Sequence, residues 1–294
     1  MFIIKYKKIF ISTSIALIIL SFASIAFFGL NFGIDFKGGA LTEVIFKENR
    51  PDQKIVENSL SSLSLGQILI QPTGADGYSL KTRDLNEVER SALLTALGPK
   101  AEEKSFTSIG PSVGTELARK SIISFILVAL GIIFYIAFSF RKVSKPVSSW
   151  KYGLIAIVSL IHDIIIPVGG FVIFSHFFGG EIDTLFVVAV LTILGLSVSD
   201  TIVVFDRIRE NIRVGHFKTF EETVGKSLEQ VYIRSIITAL TVIIVLLSLV
   251  FFGPKSTQNF ALMLTAGMFF GTYSSIFLAS PLLVTVNNWQ KKSK

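Results

Sequence analysis

Residues Ile9–Leu30 read IFISTSIALIILSFASIAFFGL, without a single charged side chain. The uncharged window around them extends from Lys8 to Asp35 and holds 26 residues. A helix needs roughly 20 mainly apolar residues to cross the hydrocarbon core of a bilayer, so this stretch is long enough to span. Three more uncharged windows follow: 20 residues between Lys120 and Arg141, 20 between Arg234 and Lys255, and 35 between Lys255 and Lys291. Two others hold one acid each, Asp163 between Lys151 and Glu181, and Asp200 between Asp183 and Asp206. Six transmembrane helices are expected, near 9–30, 121–140, 152–174, 184–205, 235–252 and 260–287. With 51% hydrophobic residues, 17% charged residues and 27 Phe, the composition excludes an ordinary soluble domain.

The basic residues orient the spans. Lys5, Lys7 and Lys8 precede the first; Arg141, Lys142, Lys145 and Lys151 follow the second. Arg207, Arg209, Arg213, Lys218, Lys226 and Arg234 follow the fourth, and Lys291, Lys292 and Lys294 end the chain. The two short loops opposite, around 175–183 and 253–259, carry only Lys255. The positive-inside rule places both termini in the cytoplasm. The net charge of +7 is then a topology signal, and nucleic-acid binding is not expected from it. The first apolar run is too long for a signal peptide and reads as an uncleaved anchor. With no cysteine, no disulfide framework or thiolate metal site is expected.

The polar segment between the first two spans, 31–118, must lie outside. Leu41–Lys47 alternates as a strand, and Pro51–Leu63 follows as an amphipathic helix. Gly66–Gln71 and Tyr78–Thr82 flank the turn-rich PTGADG as a hairpin. Asp84 opens a second helix to about Leu97, with Glu87 three residues on in the manner of a capping box, and a last strand lies near Glu102–Ile109. This is β-α-β-β-α-β, the split βαβ or ferredoxin-like arrangement. The expected fold is a polytopic α-helical membrane protein of six spans with one extracytoplasmic α+β domain. Its regions are 1–30 (N-terminus and first span), 31–118 (external domain) and 119–294 (a five-helix bundle with cytoplasmic loops and tail). The external segment contains no histidine and no catalytic constellation, so it reads as a binding or mechanical module. No enzyme activity, cofactor or metal is expected.

Within the membrane, Asp200 stands six residues before Asp206 at the cytoplasmic edge, a depth of roughly 9 Å. A charge at a helix centre costs roughly 2.5–3.5 kcal/mol or more. One reading is a tolerated carboxyl bonded to its neighbours Ser197, Ser199 and Thr201. The other is a proton- or ion-linked switch, since burial and nearby cations pull its proton affinity in opposite directions. The candidate cation is Arg234, at the start of the fifth span, with Thr238 and Thr241 on the same face; alternatively it snorkels to the interface. In SLIHDIIIPVGGF, Asp163 lies near mid-helix beside His162. Pro167 and Gly170 share its face, suggesting a kink and a close backbone approach. Gly267, Gly271 and Ser275 form a small-residue face read as packing. Asp206, Arg207, Arg209 and Glu210, in DRIREN, form a charged helix end.

Taken together, GIDFKGGALTEV after the first span, HD in the third, SDTIVVFDRIREN in the fourth and R-S-x-x-T-x-x-T in the fifth resemble the SecF family. SecF is the smaller partner of SecD in the bacterial Sec translocon, within the resistance-nodulation-division superfamily. The resemblance covers essentially the whole chain. It implies an inner-membrane accessory subunit that works with a SecD-like partner. Its further partners would be a SecYEG-type translocon, YidC/YajC-like proteins and the unfolded preprotein. It implies that proton entry, or sodium entry in some bacteria, drives late steps of preprotein passage. By position, Asp200 and Arg234 match the family's membrane carboxylate and arginine, and Asp163 with His162 its pair in the third span. Asp35, Gly38 and Gly39, in DFKGG, match a junction where glycines let the backbone turn sharply. Ser199 stands where the family commonly has Asn, and Ala239 and Leu240 lie where it is richer in hydroxyls. Two alternatives stay open: a passive scaffold without ion coupling, and a small-molecule or lipid exporter of the same superfamily.

Overall fold

The computed structural model describes residues 2–66, 68–139, 147–215 and 217–292. Arg141, Lys142, Lys145 and Lys294 of the charge expected to be cytoplasmic, and Gln67 of the expected strand Gly66–Gln71, lie outside the described residues. In chain order come α1 (Phe2–Lys5), α2 (Lys7–Phe28), α3 (Ile34–Lys37), β1 (Gly39–Phe46), α4 (Gln53–Leu60), β2 (Leu69–Thr73), β3 (Gly77–Thr82), α5 (Glu87–Leu97) and β4 (Ala101–Ile109). The remaining helices are α6 (Pro111–Ser139), α7 (Ser149–Phe178), α8 (Thr184–Val214), α9 (Phe220–Phe252), α10 (Lys255–Ser274), a π turn at Ser275–Ala279, and α11 (Ser280–Lys292). Among the described residues, six stretches are long and apolar enough to cross a membrane: those on α2, α6, α7, α8 and α9, and the run Ser256–Gln290 through α10, the π turn and α11. The chain divides into two compact units, Met1–Asn31 with Ile123–Lys294, and Phe32–Ile122.

In the second unit the sheet order is β2-β3-β1-β4, every pairing antiparallel. This is the expected split βαβ topology. Along β1, Ala40, Thr42, Val44 and Phe46 are buried because alternate residues face one side of a pleated strand. Val56 and Leu60 of α4 and Leu93 of α5 complete that core. The second helix begins later than expected. Its cap is Asn86, whose side chain accepts from the Glu89 N–H at 2.9 Å while the Glu89 carboxylate accepts from the Asn86 N–H at 3.1 Å. Glu87 is the first helical residue, and only the third can close a capping box.

Gly38 and Gly39 hold φ of +77° and +136°. A Cβ on Gly39 would stand 2.8 Å from the Thr82 carbonyl oxygen, and one on Gly38 would stand 3.0 Å from the Pro111 nitrogen. Opposite them Gly114, in the first turn of α6, would bring a Cβ 3.0 Å from the Phe36 carbonyl oxygen. The chain leaving the second unit therefore presses on the chain entering it, through glycines on both sides. Asp35 lies in the first turn of α3.

In the first unit, the buried residues of α2 are Ser14, Ser21 and Ser24, while Ile15, Ile19, Leu20 and Phe22 are exposed. Between membrane helices small residues bring backbones close, and the apolar side chains are left to lipid. Ser24 donates to the Gly169 carbonyl on α7 at 2.9 Å. The close glycine of the third span is Gly169, where a Cβ would overlap Ser21, whereas Gly170 has open space; the expectation for Gly170 was one residue out. The helices α8 and α9 both extend beyond their apolar runs. α8 continues through DRIREN to Val214, and α9 starts at Phe220 behind the Thr219 cap. Arg234 therefore stands well inside α9 and not at its start.

Candidate functional site

Two carboxylates, on neighbouring helices, organise the interior of the bundle. Asp163, on α7, is fully buried, as is His162. Its Oδ1 lies 2.8 Å from His162 Nδ1. Its Oδ2 accepts from Ser197 on α8 and from Ser274 at the end of α10, the latter at 2.7 Å. Pro167 lies four residues on and has no N–H, so the Asp163 backbone carbonyl lacks its usual helical donor. The Tyr273 ring stacks on His162, centroids 5.9 Å apart and planes 13° apart.

Asp200, on α8, is half-buried. Ser235, on α9, donates to its Oδ1 at 2.7 Å, and Ser275, at the start of the π turn, donates to its Oδ2 at 2.8 Å. Two hydroxyls from two other helices thus reach this acid. Neither Ser199 nor Thr201 donates to it, and Ser197 serves Asp163 instead.

Beside Asp200 lies a cavity of about 200 Å³. Ser199, Arg234, Thr238 and Gly271 share its wall with Asp200. No ion pair joins Asp200 to Arg234 among the described residues. Thr241 stands outside the lining and donates to the Ile237 carbonyl at 2.8 Å.

The glycines of α10 set this geometry. A Cβ at Gly267 would overlap Ile193, and one at Gly271 would come 3.2 Å from the Ser197 Cβ. Gly267, Gly271 and Ser275 therefore meet Ile193, Ser197 and Asp200 in register along α8. The last step of that face carries a hydrogen bond to a carboxylate, so it is more than the packing surface expected of it.

DRIREN forms a separate cluster. Arg207 pairs with Glu210 at 2.8 Å and Arg209 with Asp206 at 3.8 Å, both one helical turn apart and partly exposed. Such pairs contribute little stability. The buried polar member is Asn211, which donates to Ser227 at 2.8 Å and to Gln230 at 2.9 Å and so ties α8 to the first turns of α9. Ser235, Ser274, Ser275, Gly169 and Asn211 are the residues that sequence reasoning did not assign to these contacts. The small-residue spacing of α10 did mark Ser275.

Comparison with known proteins gives a consistent picture. The family model for the C-terminal part of the protein export membrane proteins SecD/SecF matches residues 89–289, and the SecD/SecF GG motif matches residues 23–47. Protein translocase subunit SecF of Thermobaculum terrenum is 41% identical, covering 99% of this chain and 94% of the relative. The subunit of the same name from Sebaldella termitidis is 35% identical, with coverage of 99% and 94%. The crystal structure of SecDF, a translocon-associated membrane protein from Thermus thermophilus, superposes with a TM-score of 0.82 at 29% identity. It covers 97% of this chain, and this chain spans 38% of that one.

Proposed function

The chain belongs to the SecF family of protein translocase subunits, and from that premise we propose that it works beside a SecD-like subunit as a gradient-driven accessory of preprotein translocation. The observation that carries this reading is Asp200. It is an ionisable group on a membrane helix, facing a cavity that also holds Arg234, and its carboxylate is held by hydroxyls from α9 and the π turn after α10. An intramembrane acid in such a place marks an ion pathway.

The mechanism is conformational, without covalent chemistry. Ser235 and Ser275 donate to the Asp200 carboxylate, and the Arg234 guanidinium lines the same cavity. When a proton enters the cavity and neutralises the carboxylate, Ser235 and Ser275 lose a charged acceptor and Arg234 loses its attraction. The seam between α8, α9 and α10 then favours a different packing. A proton drives such a change only through its different affinity for the two states, and the membrane potential adds about 2.3 kcal/mol per charge per 100 mV. The helices α2 and α6 lead directly into residues 32–122, so repacking of the bundle reaches the external domain along the chain itself. That domain then holds an emerging unfolded preprotein at the outer face of a SecYEG-type translocon, with YidC/YajC-like proteins as further neighbours. Both termini lie in the cytoplasm of a bacterial inner-membrane protein, in keeping with the basic residues at the two ends.

The test is in-cell secretion kinetics of Asp200→Asn, expressed with its SecD-like partner at normal membrane levels. Asn keeps the size and the hydrogen bonding while abolishing titration. The expected result is preprotein release slowed as severely as in a deletion. Unchanged secretion would leave the chain a passive scaffold.

A further inference from the structure

Ser274 and Ser275 are adjacent in the chain, fully buried, and bonded to different carboxylates. Each also has a second acceptor in reach. Ser274 Oγ lies 2.7 Å from Asp163 Oδ2 and 3.1 Å from the Gly271 carbonyl oxygen. Ser275 Oγ lies 2.8 Å from Asp200 Oδ2 and 3.0 Å from the Thr272 carbonyl oxygen. A hydroxyl has one proton to donate. It favours a charged carboxylate over a neutral carbonyl, because hydrogen bonds to ionised acceptors are roughly twice as strong. Once the carboxyl is protonated the polarity reverses. The acid donates to the serine oxygen, and the serine proton turns back to the carbonyl three residues earlier.

The two hydroxyls cannot turn independently of the backbone that carries them. They straddle the point where α10 gives way to the π turn Ser275–Ala279, and the Ser275 carbonyl accepts from Ser280 Oγ at 3.2 Å. A single π turn inside an α-helix is rare and found mostly at functional positions, and its register differs from that of the flanking helix by one residue. Tightening the turn before Ser275 towards Thr272 acts on the peptide that joins Ser274 to Ser275, and so on the position of Ser274 against Asp163.

We infer that Ser274 and Ser275 couple the protonation of Asp163 to that of Asp200 through the π turn. This rests on the reading of Asp200 as a group that takes up and releases a proton. Among the described residues, the titratable and charged groups around the pair are few. His162 bonds to Asp163 from its own helix, Tyr273 of α10 stacks on His162, and Arg234 of α9 lines the cavity with Asp200. The groups α8 and the α10 junction present to Asp163 are hydroxyls.

The experiment is a pH titration of the full chain in lipid nanodiscs, followed by the infrared carbonyl stretch of protonated carboxyl groups. Bands are assigned with Asp163→Asn and Asp200→Asn. The expected result is an Asp200 midpoint that moves by about one pH unit or more when Asp163 is replaced, the signature of interacting sites. That displacement should fall by at least about half in Ser275→Ala, and likewise in Ser274→Ala, which acts on the other end of the path. It should persist in Ser235→Ala, which takes a different hydroxyl from the same carboxylate and leaves the π turn intact. A displacement that survives both π-turn substitutions means the carboxylates sense each other through space, and the proposal falls. A displacement lost equally in Ser235→Ala also overturns it, because any hydrogen bond to Asp200 would then serve. If Asp200 shows no titration between about pH 4 and 10, a window spanning the shifts known for buried carboxyls, the proton-carrying reading fails with it. A titrating but uncoupled Asp200 leaves that reading standing and removes only this inference.

Discussion

Arg234 and Asp200 line one cavity without forming an ion pair among the described residues, and the hydroxyl that reaches the carboxylate from α9 belongs to Ser235, the residue beside the arginine. In the mechanism proposed above, the arginine acts through its field, so its charge should matter more than its hydrogen-bonding shape. Arg234→Met should lower gradient-dependent translocation by about tenfold, a loss of about 1.4 kcal/mol, while Arg234→Lys keeps most of it. The check is preprotein transport into inverted membrane vesicles with and without an uncoupler. An Arg234→Met complex that still responds fully to the uncoupler would remove Arg234 from the mechanism.

The seam between α8 and α10 makes a graded prediction about stability. A methyl at Gly267 overlaps Ile193, whereas one at Gly271 is only tight against Ser197. Overpacking a filled interface costs about 1–3 kcal/mol. Gly267→Ala should fall in that range, Gly271→Ala should cost less, and Gly131→Ala on α6, with open space around it, should be neutral or slightly stabilising. Thermal unfolding of the detergent-solubilised chain ranks the three. Equal losses at Gly267 and Gly131 would mean that α8 and α10 do not meet as described.

The contrast between what the sequence announced and what it concealed follows from signal strength. Uncharged windows and strand alternation are repeated over many residues, so the six spans and the split βαβ order were readable. The carboxylates stood out because an acid in an apolar run is conspicuous. Their partners did not, because a serine inside a helix is nearly neutral in hydropathy and can bond to its own helix backbone. Nothing local distinguishes Ser235 or Ser274 from Ser248, which donates to the Val245 carbonyl. The first turns of α9 were hidden for a different reason: Phe220–Tyr232 is amphipathic and polar enough to read as loop beside the apolar run after Arg234. Asn86 against Asp84 was a choice between two capping residues that the spacing could not separate, since each has an acid three residues on, Glu87 for Asp84 and Glu89 for Asn86.

The glycine junction separates two sources of strain. Gly39→Ala meets both a φ of +136° and the Thr82 carbonyl oxygen at 2.8 Å, while Gly114→Ala meets the Phe36 carbonyl oxygen at 3.0 Å on an ordinary helical backbone. A side chain forced into such a backbone region costs about 1–3 kcal/mol. Gly39→Ala should therefore unfold residues 32–122 at lower urea than Gly114→Ala, and both at lower urea than the parent. Pulse proteolysis of the full chain across a urea series gives the order. If Gly39→Ala matched the parent, the strained turn would not be part of the folded domain.

The unit of residues 32–122 carries a pH dependence of its own at the start of α5. The Arg83 guanidinium, bonded to Glu89, and the Asn86 N–H together hold the Glu89 carboxyl down at about 2. A depressed carboxylate contributes stability that is complete above its unfolded value of about 4.3 and is lost as pH falls through the folded value. Protection of the first-turn amides of α5 should thus be constant from neutral pH down to about 4.3 and decline between there and about 2. Because the pair is solvent-exposed, high salt should weaken the effect. Glu89→Gln can still cap the helix, since Gln serves at that position, but it cannot titrate. It should keep the amide protection at pH 3 that the parent has begun to lose. The measurement is hydrogen exchange of the full chain by mass spectrometry, referenced at each pH to intrinsic rates. If Glu89→Gln loses protection over the same interval as the parent, the acid sensitivity originates elsewhere in the domain, and the Arg83–Glu89 pair contributes only geometry.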